Sequence, residues 1–212
     1  MSRIPLFEPE GMTEQQAKVY AEVVGGPRGR LVGPLRAAMH NPVLADRWQK
    51  FGEVLRFNTS LPKKLTELAI LVTARRWNSQ LEWHIHAQDG LNAGLSAEVI
   101  EALRSGASPA FDDPQEADVY EFACELQLTG NVAQPLYERL HDRWGTVAMV
   151  DLTSVIGYYT LVAMTLNVHA IPLPDGAQNP LDDLSSPHDQ PWSLSQLAPV
   201  ERTPLKTAEQ QL

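Results

Sequence analysis

Three features of the sequence predict an all-α fold. Apolar residues recur at helical spacing, capping side chains and first-turn prolines mark helix starts, and no run shows strand alternation bounded by turns. A hydrophobic share of 43% over 212 residues is enough for one domain of ordinary size plus an extension, with a core that stands without staples. No repeat at a solenoid period is visible.

The elements follow in order. Thr13 with Gln16 is a capping-box pattern before AKVYAEVVGG, and Gly25-Gly26-Pro27 stops that helix. Asn41-Pro42 supplies an N-cap and a first-turn proline for VLADRWQKFGEVLRF. In LPKKLTELAILVTARRW, Leu61, Leu65, Leu68, Ala69 and Val72 fall on one helical face, and Arg75-Arg76 answer the dipole at its end. A helix from about Ser79 to Asn92 is closed by Gly94, and another runs from Ser96 to Gly106. Asp113-Pro114-Gln115-Glu116 combines a cap, a first-turn proline and a capping glutamate ahead of ADVYEFACELQLTG. AQPLYERLHDRWG and the long apolar segment after Gly145 complete the set. That last segment has the length of a membrane span, but it carries Asp151 and is broken by Thr, Ser, Gly and Asn, so it reads as a buried core helix.

After Ile171 the composition turns to Pro, Ser, Gln and Asp without helical periodicity. Two readings stay open there, a loose tail or an arm anchored on a neighbouring subunit by Trp192 and scattered leucines. The chain therefore divides into an N-terminal helical extension (1–40), a helical domain (41–171) and a Pro-rich C-terminal segment (172–212).

Charge and cysteine content narrow the function. A net charge of −9 leaves no basic footprint for nucleic acid or an anionic membrane. The single cysteine, Cys124, excludes an internal disulfide framework and any CxxC redox pair within the chain, which fits a reducing cytoplasm. MSRIPLFEPEGMTEQQ has no apolar run behind its arginine, so no signal peptide is expected.

The densest chemistry lies in Glu82-Trp83-His84-Ile85-His86. At about 100° per residue, Glu82, His86 and Asp89 share one stripe of a helix, while His84 sits about 200° from Glu82. A metal site built on the two histidines would need a strand, so no metal is expected. Glu82 and His86 are an i,i+4 pair whose side chains can touch. Burial raises a carboxyl pKa and a carboxylate raises an imidazole pKa, so such a pair can share a proton for acid–base work. The alternative is a structural hydrogen bond tying two helices together. Glu67, in the preceding helix, would lie close if the two helices form an antiparallel pair, and a second buried acid is hard to explain by packing alone. In the segment from Gly25 to Pro42, Arg28, Arg30 and Arg36 read first as solvated loop arginines, or else as a bidentate clamp for a substrate carboxylate. His40 reads as structural.

ELAILVTARRWNSQLEWHIHAQDGLNAGLS (Glu67 to Ser96) resembles the signature of the carboxymuconolactone decarboxylase family, which includes the AhpD-like alkylhydroperoxidases. The likeness covers roughly Asn41 to Ile171. It implies an AhpD-like all-α bundle that assembles as a trimer or hexamer. In the peroxidase branch of that family the helix carries C-x-x-C-x-x-x-H. The two thiol positions fall on Ser79 and Glu82, and neither is a thiol, so peroxidase chemistry by that route is not expected. The E-W-x-x-H form resembles the decarboxylase branch instead. This implies a cofactor-free lyase acting on a small lactone or cyclic carboxylic acid. His86 would deliver the proton, Glu82 would orient it, and Glu67 would complete the relay. Trp83, Ser79 and the three arginines would contact substrate. An isomerase or hydrolase with the same residues, or a non-catalytic oligomeric binding protein, are the alternatives. The chain departs from the decarboxylase pattern by its added segments before Asn41 and after Ile171.

Overall fold

The computed structural model describes residues 2–182. They form eight α-helices: α1 (Glu14–Gly25), α2 (Pro34–Ala38), α3 (Pro42–Phe57), α4 (Lys63–Arg76), α5 (Gln80–Asn92), α6 (Ala97–Ser105), α7 (Pro114–Thr129) and α8 (Gln134–Val168). No strand occurs among the described residues. The helix starts are where the capping side chains place them. Thr13 accepts from the Gln16 amide while the Gln16 side chain accepts from the Thr13 amide at 3.0 Å. Asn41, Ser96 and Asp113 accept from Leu44, Val99 and Gln115. Glu116 does not serve as a cap side chain. It reaches Lys64 Nζ at 2.6 Å and, with Asp113, ties the start of α7 to the start of α4.

Two elements depart from the sequence-based expectation. The segment before Asn41 contains a short helix, α2, entered through Gly33 at φ +54° and started by Pro34. The helices expected on either side of Gly145 form one element bent at that residue, which sits at φ +76° and ψ 177°. The positive φ explains the glycine, since a Cβ there would meet nothing within 4 Å.

α4 is the central helix and packs against α5, α7 and α8. The sequence shows one apolar face, but the whole stretch from Leu65 to Arg76 is buried. The extra sides are filled by Ile70 and Leu71, and by threonines that cost little because they bond their own helix. Thr66 donates to the Lys63 carbonyl and Thr73 to the Ala69 carbonyl, both at 2.9 Å. Arg75 and Arg76 are buried as well, not solvated at the helix end. The turn into α5 is tight. Asn78 adopts φ +47°, a left-handed conformation that Asn tolerates better than most residues, and its side chain accepts from Arg75 at 3.1 Å. This turn lays α5 antiparallel along α4.

Two apolar clusters result. One surrounds α4, α6, α7 and the first part of α8, and the other joins α1, α2, α3 and the second part of α8. α5 contributes Trp83 to the first and Leu81 to the second. α8 is the helix long and apolar enough to cross a membrane, yet half of its most apolar window is buried in the fold. The start of the C-terminal segment is docked. The backbone N–H and C=O of Leu181 bond the Gln80 side chain at 2.9 and 3.0 Å. Trp192 and the rest of the tail or arm lie outside the described residues.

Candidate active site

α4 and α5 bring the first pair of acid–base groups together. Glu67 and His86 stand on facing sides of the hairpin, and Glu67 Oε2 lies 2.7 Å from His86 Nδ1. Both side chains are buried. The second Glu67 oxygen is 2.6 Å from Lys63 Nζ, one turn earlier on α4. Burial pushes the Glu67 carboxyl up, but the imidazole of His86 and the ammonium of Lys63 outweigh it and hold the group below its ordinary range. An ionised carboxylate only accepts, so Nδ1 carries a proton and donates it, which leaves Nε2 for a ligand.

Glu82 is in the opposite state. It is 2% exposed, and neither carboxylate oxygen has a hydrogen-bond partner among the described residues. Burial drives its carboxyl well above the ordinary range, and the neighbouring Ser79 hydroxyl only partly offsets this. Burial thus favours the neutral acid at Glu82, beside a histidine held by a carboxylate whose neighbours favour the anion. The expectation that Glu82 orients His86 is corrected. Helical phase permits the i,i+4 contact, but α4 supplies a charged partner on the Nδ1 side and takes the hydrogen bond.

Glu82 and His86 line one small cavity of about 40 Å³, together with Arg28, Arg56, Tyr158, Tyr159 and a wall of Leu81, Ile85, Val162 and Leu166. The Tyr159 ring meets the His86 ring edge-on at 4.8 Å, which fixes the plane of the imidazole. Burial pushes the Tyr159 hydroxyl well above its usual value, and that of Tyr158 up as well, although Arg28 and Trp48 beside Tyr158 pull the other way. Arg56 pairs with Asp89 at 3.0 Å.

The other expected contacts divide. Arg28 and Ser79 are at the site, Arg28 lining the cavity and Ser79 beside Glu82. Trp83 does not line the cavity. Its indole packs into the first apolar cluster. Arg36 is pulled aside by Glu8, with its Nε donating to the Phe7 carbonyl at 3.2 Å, and Arg30 is exposed. His84 is exposed, and His40 Nε2 lies 2.7 Å from the Pro5 carbonyl. Sequence reasoning missed Arg56, Tyr158 and Tyr159. They reach the cavity from α3 and α8, so no local pattern marks them, although two adjacent tyrosines in an apolar helix are a weak signal.

Among the described residues, Glu67, His86 and Asp89 offer ligand atoms within 4.8 Å of one another. Each carboxylate already faces a cation, Lys63 at 2.6 Å and Arg56 at 3.0 Å. A metal ion would have to displace both, so the donor set fits a proton site better than a cation site.

The protonation of Glu82 has a consequence for stability. Its folded pKa lies above its unfolded one, so the native state holds a proton that the unfolded chain releases above about pH 4.5. Native stability contributed by that proton is lost as pH rises. The Tm advantage of Glu82→Gln over the parent is therefore expected to grow as pH is raised from 5 to 8. A pH-independent difference in thermal melts would show that Glu82 titrates normally.

The model of the carboxymuconolactone decarboxylase family matches residues 42–125, from the first turn of α3 into α7, a stretch containing Glu67, Glu82 and His86. Among solved structures, the chain resembles an uncharacterized peroxidase-related protein from Silicibacter sp. TM1040 with a TM-score of 0.66. The two share 14% identity over 82% of this chain and 92% of that one, a likeness of fold alone. No curated protein matches the chain.

Proposed function

Residues 42–125 match the model of the carboxymuconolactone decarboxylase family, and from that premise we propose that the chain is a cofactor-free acid–base enzyme acting on a small lactone or cyclic carboxylic acid. The observation that carries the reading is the split state of two buried glutamates around one histidine. Glu82 is buried in the cavity, where burial pushes its carboxyl up, while Glu67 bonds His86 Nδ1 at 2.7 Å and is held down by that ring and Lys63. Acid and base roles are assigned wherever environment drives titratable neighbours apart in this way.

In a decarboxylation, the C–C bond to the leaving carboxylate breaks and its electron pair moves through the conjugated system onto the carbonyl oxygen. The Glu82 hydroxyl is placed to hydrogen-bond that developing charge in a water-poor cavity. His86, held at Nδ1 by Glu67, then passes a proton from Nε2 to carbon, and Glu67 stabilises the imidazolium while it lasts. Water restores the proton afterwards. A cavity of about 40 Å³ holds a carboxylate group or one to two waters, not a whole ring. Substrate entry therefore requires one wall to yield. Residues 26–33, between α1 and α2, form the part of the wall without helix.

The test is turnover of a panel of carboxylated unsaturated lactones, following loss of their ultraviolet absorbance and release of carbon dioxide. Isomerisation would instead appear as deuterium uptake from heavy water without carbon dioxide, and hydrolysis as ring opening. Saturable binding without turnover of any member would favour the non-catalytic alternative and overturn the enzyme reading.

A thiol route has little support from the site. Cys124 is packed against the first apolar cluster, and burial pushes its thiol up to about 12. Cys124→Ser is expected to leave turnover within about twofold of the parent, a difference of under about 0.5 kcal/mol. A loss of tenfold or more in the variant, with parent turnover that depends on a thiol reductant, would reinstate redox chemistry. The exposed apolar residues Val147, Val150, Leu161, Met164 and Val168 on α8 support the self-association that the family match implies. Sedimentation of the full chain as a monomer would contradict it.

A further inference from the structure

The Glu82–His86 cavity has a donor-rich end that the acid–base chemistry does not use. Arg28 Nε is buried without a hydrogen-bond partner among the described residues, and Arg28 Nη2 and Trp48 Nε1 are buried beside the Tyr158 hydroxyl. A buried donor left open is rare in folded proteins and calls for a ligand or water. The local charge points the same way. Arg56 is matched by Asp89 and Lys63 by Glu67, whereas no carboxylate is paired with Arg28 among the described residues.

Behind Arg28 and Tyr158 lies Gly52, in the middle of α3. A Cβ there would come within 2.0 Å of the Tyr158 hydroxyl oxygen and 2.5 Å of Arg28 Nη2. A glycine inside a helix costs about 1 kcal/mol relative to alanine, so its presence at this buried contact has a steric reason. It leaves the space that Arg28 and Tyr158 occupy.

We propose that Arg28 and Tyr158, backed by Trp48 and Gly52, form a subsite for one carboxylate of the substrate and hold it beside Glu82 and His86. The volume of about 40 Å³ suits a planar carboxylate group. The guanidinium supplies the charged N–H donors, and the phenol O–H supplies one more. The proposal rests on the acid–base reading and deepens it by naming the anchoring residues. The anchored carboxylate is one that stays on the substrate or one that leaves as carbon dioxide, and in both cases it is gripped at this end.

The experiment is calorimetric titration of the full chain with acetate, benzoate and inorganic phosphate. Acetate or benzoate is expected to bind saturably, with phosphate weaker than both. Arg28→Gln is expected to weaken carboxylate binding by about 10–100-fold, the value of a charge-assisted donor pair. Tyr158→Phe should weaken it less, and Arg30→Gln, on the exposed surface, should not change it. Gly52→Ala serves as a second variant, because alanine favours the helix and the fold should survive. It is expected to abolish binding by displacing the guanidinium and phenol. Circular dichroism checks that each variant is folded. Equal binding by the parent and folded Arg28→Gln, preferred binding of phosphate, or no carboxylate binding at all would overturn the subsite. His86→Gln separates this proposal from the enzyme reading. Carboxylate binding that survives in a His86→Gln protein without turnover supports the subsite, and turnover that survives Arg28→Gln removes it while leaving the chemistry standing.

Discussion

Replacing Glu82 by leucine is expected to lower turnover about 10²–10³-fold while leaving the chain folded. The carboxyl is buried and unpartnered, so nothing in the fold depends on its hydrogen bonds. Leucine fills much of the same volume and removes a costly desolvated group, so the variant should melt above the parent at neutral pH. Lost rate with gained stability is the pattern of a group kept for function against the interest of the fold. Glutamine at the same position keeps an N–H donor but loses the acidic proton, and its rate should fall between parent and leucine. Steady-state kinetics at matched pH read both. Leucine and parent rates within a factor of two would reduce Glu82 to a packing residue.

His86→Gln is expected to cost about 10²–10⁴-fold in kcat with a smaller effect on KM, the range for a positioned acid–base group. Glutamine is preferred to alanine as the test. Alanine would leave the Glu67 carboxylate buried beside Lys63 with one partner gone, so lost activity could reflect lost stability. Glu67→Gln should give a milder loss. It keeps a side chain next to Nδ1 but removes the charge that fixes the tautomer and supports the imidazolium. If Glu67 were only a helix tie, Glu67→Gln would change Tm and leave the pH profile of kcat in place. If it acts through His86, the profile shifts.

Much of the fold was legible because helix starts are local events. Thr13, Asn41, Ser96 and Asp113 each cap the helix that the sequence assigns to them, since a capping bond spans only two or three residues. The Glu67–His86 contact was legible for a related reason. Both residues lie within a few turns of a short reversal at Asn78, so adjacency follows from the hairpin. The rest depended on packing between distant elements. Total burial of α4 does not follow from its one apolar stripe, because Ile70, Leu71 and the self-bonded threonines gain their surroundings only when α7 and α8 close over them. Trp83 and Glu82 are neighbours in sequence, yet one enters a core and the other a cavity, a distinction set by what faces α5. The three arginines illustrate the same limit. Arg28, Arg30 and Arg36 share one loop-like segment, but only Arg28 is carried into the site, while Glu8 captures Arg36. Gly52 was the clearest unread signal, a glycine inside an otherwise sound helix with no turn to make.

The central claim is that two buried glutamates around His86 hold opposite protonation states. Carbon-13 NMR of the chain labelled at the glutamate carboxyl carbons tests it directly and needs no substrate. One resonance is expected to keep the chemical shift of a protonated acid well above the pH at which ordinary glutamates ionise and to vanish in Glu82→Gln. A second, lost in Glu67→Gln, should stay ionised below the ordinary glutamate range. If every glutamate carboxyl titrates between about pH 4 and 5, the ordinary range for this side chain, the split does not exist and the account of the site fails.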